Sequence, residues 1–296
     1  MLSGVGSTPA ETEFVTFGPV HLDVVSLDDS LGFWRDLVGL RVVVDGSDAV
    51  ELGVDGRPLV VLRAGAISPV RRGYAGLFHL AINLPDEPAF AHVLARLLAS
   101  GHPIGTTDHI VAKSIYVGDP DGIGLELALE TPERVKVFHW TDAEPVIIDA
   151  DGRRQAGAEP LDVEQVLAAQ PDADLSQPLA SETKVGHVHL QVSDLGRAYA
   201  FYRDRLGFPQ SNYVRAIGYG DLGAGGRLTH RVAVNVWQGA GVPPRPRGMA
   251  GMSRFTIRFD SPERLHDVLA RLDGIEQQAD SLLAHDPDGN TMALSA

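Results

Sequence analysis

The sequence has no cysteine at all. That excludes a disulfide framework, a thiolate metal site and a cysteine nucleophile. Any metal must therefore be held by histidine or carboxylate. No apolar run approaches the roughly 18 residues that would carry a helix across a bilayer. The opening stretch, MLSGVGSTPAETEF, has neither a basic segment nor an apolar one, so it does not read as a secretory signal. Positive charge is also in short supply: 25 Lys and Arg stand against 39 Asp and Glu, a net charge of −14. Such a field repels phosphate backbones and anionic lipid, so neither nucleic acid nor membrane is expected as a partner. These absences point to a cytoplasmic protein acting on a compact small molecule.

Enough apolar material remains to build sizeable cores. Of 296 residues, 44% are hydrophobic and 22% charged, and a length near 300 suggests about two domains. The chain repeats itself. VHLDVVSLDDSLGFW (Val20 to Trp34) aligns without a gap on VHLQVSDLGRAYAFY (Val188 to Tyr202), at an offset of 168. AHVLARL (Ala91 to Leu97) matches HDVLARL (His266 to Leu272) at an offset of 175. DPDG occurs at Asp119 to Gly122 and again at Asp286 to Gly289. Several matches in one order point to duplication.

Each copy reads as a short apolar strand, an amphipathic helix, and further strands separated by Gly and Pro turns. The helix PAFAHVLARLLASG is expected to end at Gly101 as a C-cap. DPDG reads as a tight turn before the last strand. The chain is thus an α+β protein of four βαβββ units, starting near residues 18, 77, 185 and 252. Residues 14–131 form the first half, with two units. Residues 132–183 are a connecting segment, with a short helix expected near Val163 to Ala169. Residues 184–296 form the second half.

Four such units, with helices reading SLGFW and AYAFYRDRLG and a last strand after DPDG, are similar to the vicinal oxygen chelate superfamily. Within it the chain resembles the Bacillus-type catechol 2,3-dioxygenases, a branch of the type I extradiol enzymes. The resemblance rests on GLFHLAINLPD (Gly76 to Asp86), DHIVAKSIYVGDPDGIGLELA (Asp108 to Ala128), GHVHLQVSDL (Gly186 to Leu195) and THRVAVNVW (Thr229 to Trp237) with its follow-on GVPPRPRG. It implies two barrels of mixed sheet with flanking helices. It also implies a metal between two facing units, held from their first and last strands.

At the first-strand ligand positions stand Pro19, His79, His187 and Arg254. At the last-strand positions of units two and four stand Glu126 and Ala293. Units two and three together offer His79, Glu126 and His187, the two-histidine, one-carboxylate set of non-haem Fe(II) oxygenases. Fe(II) is the expected metal, with Mn(II) as the alternative. This choice expects unit two to face unit three, and unit one to face unit four. Consecutive pairing would strand His79 and Glu126 away from His187, and His21 would have to serve as third ligand.

The resemblance further implies His230 as acid/base residue, Tyr116 as hydrogen-bond donor to a metal-bound substrate oxygen, and His109 as a second active-site histidine. The branch tends to carry a run of histidines where Thr229, His230 and Arg231 stand. Lys113 and Ser114, and Thr106 with Thr107, also depart from relatives. His189 follows a ligand position by two residues and so shares its face. Asn235 and Trp237 follow the His230 strand with period two. These three are candidate substrate contacts. Each candidate also has a plain structural reading, as a packed barrel residue or a strand-end histidine.

The implied reaction is extradiol cleavage of a catecholic ring by O2, giving a hydroxymuconic semialdehyde-type product. The rivals are an isomerase, a thiol transferase, and a metal-free protein that sequesters an aromatic compound. Oligomeric state stays open, a homo-oligomer included.

Overall fold

The structure is a computed structural model that describes residues 12–141, 144–227, 230–278 and 281–296. Most of the N-terminal stretch read above, and Thr229, lie outside the described residues. Unit one runs β1 (Val15–Val24), α1 (Leu27–Leu31), β2 (Arg41–Asp45), β3 (Ala49–Val54) and β4 (Arg57–Ala64). Unit two runs β5 (Gly76–Asn83), α2 (Glu87–Ser100), β6 (Gly105–Asp108), β7 (Ala112–Gly118) and β8 (Gly124–Glu130). The connection contributes β9 (Val135–Trp140), β10 (Pro145–Asp149), β11 (Arg154–Gln155) and α3 (Val163–Leu167). Unit three runs β12 (Lys184–Gln191), α4 (Leu195–Ala200), β13 (Gln210–Val214), β14 (Tyr219–Leu222) and β15 (Val232–Asn235). Unit four runs β16 (Gly251–Phe259), α5 (Pro262–Leu269), β17 (Glu276–Gln278), β18 (Ser281–His285) and β19 (Thr291–Ser295). Every unit is therefore βαβββ. The connection holds a three-stranded sheet that the sequence reading did not anticipate, beside the short helix that it did.

The units do not pair in chain order. One eight-stranded sheet runs β17-β18-β19-β16-β1-β4-β3-β2, joining units one and four. The other runs β13-β14-β15-β12-β5-β8-β7-β6, joining units two and three. At each centre, first strands pair antiparallel: β1 with β16, and β5 with β12. Consecutive pairing is thereby excluded.

Strand alternation divides each sheet into two faces. Val188 and Leu190 of β12, Leu80 and Ile82 of β5, and Leu125 and Leu127 of β8 all enter one continuous apolar core. So do Val20 and Leu22 of β1, with Phe255 and Ile257 of β16. The face turned away from that core is free for chemistry. Helix α2 follows its sequence signals. The Asp86 side chain accepts from Ala89 N at 2.9 Å, and the helix ends at Gly101 in the left-handed region, φ 69°.

The two DPDG turns tie the sheets together. Asp119 accepts from the amides of Asp121 and Ile123 within its turn, and from the Trp34 indole N–H at 3.2 Å in unit one. Asp286 accepts from the amides of Asp288 and Asn290, and from the Tyr202 hydroxyl at 3.0 Å in unit three. Trp34 and Tyr202 are equivalent in the repeat. These turns serve architecture, as turn residues should.

Candidate metal centre

Two bulges set which residues reach the site. On β12, Val185 pairs with Ile82 and His187 with Ala81, so Gly186 is an extra residue. Without it, alternation would send His187 into the core; with it, Val185 and Val188 both pack inward and His187 turns outward. A Cβ at Gly186 would stand 2.0 Å from Asn83 Oδ1, so any larger residue there must displace the Asn83 side chain. The second bulge lies opposite, where His79 pairs with His189 and Leu77 with Leu190. It aims Phe78 and His79 at the same space.

The three expected ligands converge. His79 Nε2 and His187 Nε2 lie 3.0 and 3.2 Å from Glu126 Oε2, and 3.2 Å from each other. All three residues are buried. Among the described residues they form the one cluster whose donor atoms suit a metal ion. Divalent ions of zinc's size bond such donors at roughly 2.0–2.2 Å. Donors at right angles on that ion are then about 3.0 Å apart, and tetrahedral donors about 3.4 Å apart. The observed separations fall in this range, so one such ion could be reached by all three donors. The protonation states agree. Burial, then the nearby His230, pushes His187 down to about 3, so its imidazole is neutral. Burial would raise the Glu126 carboxyl, but bonds from His187 and His79 overcome it and hold it well below the usual range.

A shell of hydrogen bonds fixes Glu126. Its second oxygen, Oε1, accepts from Ser114 Oγ at 2.5 Å and lies 3.1 Å from the Tyr116 hydroxyl. Tyr116 is in turn 3.0 Å from His109 Nε2, and His109 Nδ1 is 3.0 Å from the Gly157 carbonyl. A carbonyl only accepts, so Nδ1 carries a proton, and a neutral His109 then presents a lone pair to Tyr116. Tyr116 has one proton and two acceptors. Burial, then the charge of Glu126, raises its pKa, so the hydroxyl stays protonated.

The remaining candidates surround this centre. The His230 ring lies 4.2 Å from that of His187, and burial lowers its pKa. Arg231, buried beside it, bonds Glu130 Oε1 at 2.6 Å, Glu13, and the carbonyls of Gly186 and His230. His189 stands edge-on to His79 at 4.8 Å, and Asn235 Nδ2 donates to its Nε2 at 2.8 Å. Burial drives His189 far below its ordinary value. Asn235 is fully buried and also accepts from Trp237 N at 3.0 Å, so it braces the wall. Trp237 is half-exposed; it meets Phe78 at 5.2 Å and stacks on Tyr219 at 6.0 Å. His21 sits instead on the other sheet, beside Arg254. Ser114, Phe78, Tyr219 and the Gly157 carbonyl are additions that the sequence reading did not assign. Of these, Ser114 and Phe78 carried a signal, each being next but one, or next, to a named candidate.

The glyoxalase/bleomycin resistance protein/dioxygenase superfamily model matches residues 16–127 and 184–294. The chain belongs to this superfamily. A curated relative, the catechol-2,3-dioxygenase of Bacillus subtilis (strain 168), is 31% identical over 277 residues, covering 91% of this chain and 93% of its own. A crystal structure from Bacillus subtilis described as a candidate dioxygenase superposes with a TM-score of 0.62 at 13% identity, covering 97% and 86% of the two chains. Glyoxalase I from Zea mays superposes at 0.55 and 17% identity, covering 95% and 92%. These two likenesses speak for the fold. A metal is what the superfamily's dioxygenase branch implies, and the His79–Glu126–His187 triangle fits one.

Proposed function

We propose that this protein cleaves a catecholic ring by extradiol insertion of O2, at a ferrous ion held by His79, His187 and Glu126. The observation that carries the reading is the convergence of two imidazoles and one carboxylate within 3.2 Å of one another, in a chain 31% identical to a catechol-2,3-dioxygenase. Fe(II), when bound, supplies a redox-active centre at which a chelating diol and O2 meet.

The chain's own residues supply position and protons. Ser114 and Tyr116 occupy Oε1 of Glu126, which leaves Oε2 for the metal. His230, beside His187, is placed to take a catechol proton and to return it later. Tyr116 holds its proton at neutral pH and can turn that one hydrogen bond from Glu126 or His109 to a substrate oxygen. Phe78, Trp237 and Tyr219 present aromatic faces to a ring, and His189, braced by Asn235, closes that side against water. The reading places the enzyme in the cytoplasm, whose reducing conditions suit ferrous iron.

The test is anaerobic loading with Fe(II), and with Mn(II) in parallel. Catechol and substituted catechols are added, and O2 is admitted while a yellow ring-fission product and oxygen uptake are followed. Product formation that is lost in His187→Ala is expected. A tightly bound metal with no product from any catechol overturns the reading in favour of an isomerase or transferase. No bound metal at all overturns it in favour of a binding protein.

A further inference from the structure

A cavity of about 480 Å3 opens between the helical segment Gly32–Leu37 that continues α1, β2, α2 and the connection. Its lining holds three arginines, Arg35, Arg41 and Arg96, and a single carboxylate, Asp36. Asp36 is already committed, since Arg35 grips both its oxygens at 2.6 and 2.8 Å. The Arg41 guanidinium is exposed and has no side-chain partner among the described residues.

Arg96 is the unusual member. It is only 7% exposed, yet among the described residues no carboxylate bonds it. Its guanidinium donates to the Val38 carbonyl at 2.9 Å, to the Gln177 carbonyl and to His92 Nε2 at 2.9 Å, all neutral acceptors. Its Nε is buried with no acceptor. The guanidinium fits because residue 39 is glycine. A Cβ there would stand 1.9 Å from Nη1, and the backbone holds φ +98°.

A buried cation bonded only to neutral groups is poorly compensated. In a chain of net charge −14, a lining with three arginines and one carboxylate is a local reversal of sign: Arg41 is free among the described residues, and Arg96 is bonded only to neutral groups. Guanidinium groups are suited to carboxylate and phosphate oxygens. We propose that this cavity binds a small oxyanion, carboxylate or phosphate, held by Arg96 and Arg41. The proposal is independent of the ring-cleavage reading, since the cavity shares no residue with the metal centre.

The test is calorimetric titration of the full chain with sodium phosphate and, separately, sodium malonate, in a chloride buffer. One saturable site per chain is expected, weakening as salt rises. Arg41→Gln should weaken it by about tenfold, the loss of one charge-assisted contact, and Arg41→Lys should restore part of it. Tighter phosphate binding identifies a phosphate site, and tighter malonate binding a carboxylate site. The absence of saturable heat with both anions overturns the proposal. So does binding that Arg41→Gln leaves unchanged; Arg96 would then serve only to tie the connection to the loop after α1.

Discussion

The two eight-stranded sheets share a strand order, a central antiparallel pair and even their bulges. In one, His79 pairs with His189 and the next pairing skips Phe78; in the other, His21 pairs with Arg254 and the next skips Ser253. Gly186 before His187 has its counterpart in Gly18 before Pro19. Yet one sheet carries two histidines and a glutamate at the ligand positions, and the other carries Pro19, Arg254 and Ala293. The core faces match in kind, with Val20 and Leu22 answering Val188 and Leu190. The apolar core therefore lies on one face of each sheet and the candidate ligand positions on the other. A duplicated sheet can lack the ligand set and keep its fold, because strand alternation turns the two sets of side chains to opposite faces.

Paired substitutions exploit that symmetry. His79→Ala should lower metal affinity by more than about 100-fold, beyond what loss of an outer partner costs, whereas Arg254→Ala should leave it unchanged. Metal content after dialysis against a chelator reads both. Gly186→Ala forces a Cβ into Asn83 and should destabilise by about 2 to 3 kcal/mol in denaturant unfolding. Gly18→Ala, whose Cβ would meet Thr256 Cγ2 at 2.9 Å, should cost about 1 kcal/mol. Equal losses would break the view that the sheet of units two and three is the more tightly constrained.

Ser114→Ala frees Oε1 of Glu126. It should weaken metal binding by about 10-fold, measured by competition with a metal indicator, while Ser281→Ala at the equivalent place should do nothing. The smallest effect is one of pH. Burial raises the Asp119 carboxyl to about 6, although bonds from Ile123, Trp34 and Asp121 pull it down. A carboxyl that is a weaker acid when folded contributes stability fully below its unfolded value, near 3.9, and loses that contribution as pH rises through 6. The stability gap between wild type and Asp119→Asn should therefore shrink, by on the order of 1 kcal/mol, from pH 4 to pH 7. A gap that does not change with pH would show that Asp119 does not titrate in this range.

Much of this was legible beforehand. The repeats marked four units, and the ligand positions, applied unit by unit, favoured the pairing of two with three that the sheets display. The less visible features are those that depend on distant partners. Nothing local marks the Gly186 bulge, whose effect on register needs β5 alongside. Nothing in DPDG announces a bond to Trp34, since that contact spans 85 residues. The three-stranded sheet of the connection was missed because its strands are short and separated by acidic and proline-containing stretches. His109 was placed from resemblance alone; its anchor is a carbonyl, and carbonyls carry no side-chain signature.

The order in which the units pair also bears on how the chain is assembled. The contact between His79 and His187 spans 108 residues, whereas the bond from Thr256 to the Pro19 carbonyl spans 237. On a ribosome, β1 emerges first and waits for a partner made almost last, while β5 meets β12 well before synthesis ends. The sheet with His79, Glu126 and His187 is thus the earlier one that the growing chain can complete, and the other sheet is the clasp that joins the two ends around it.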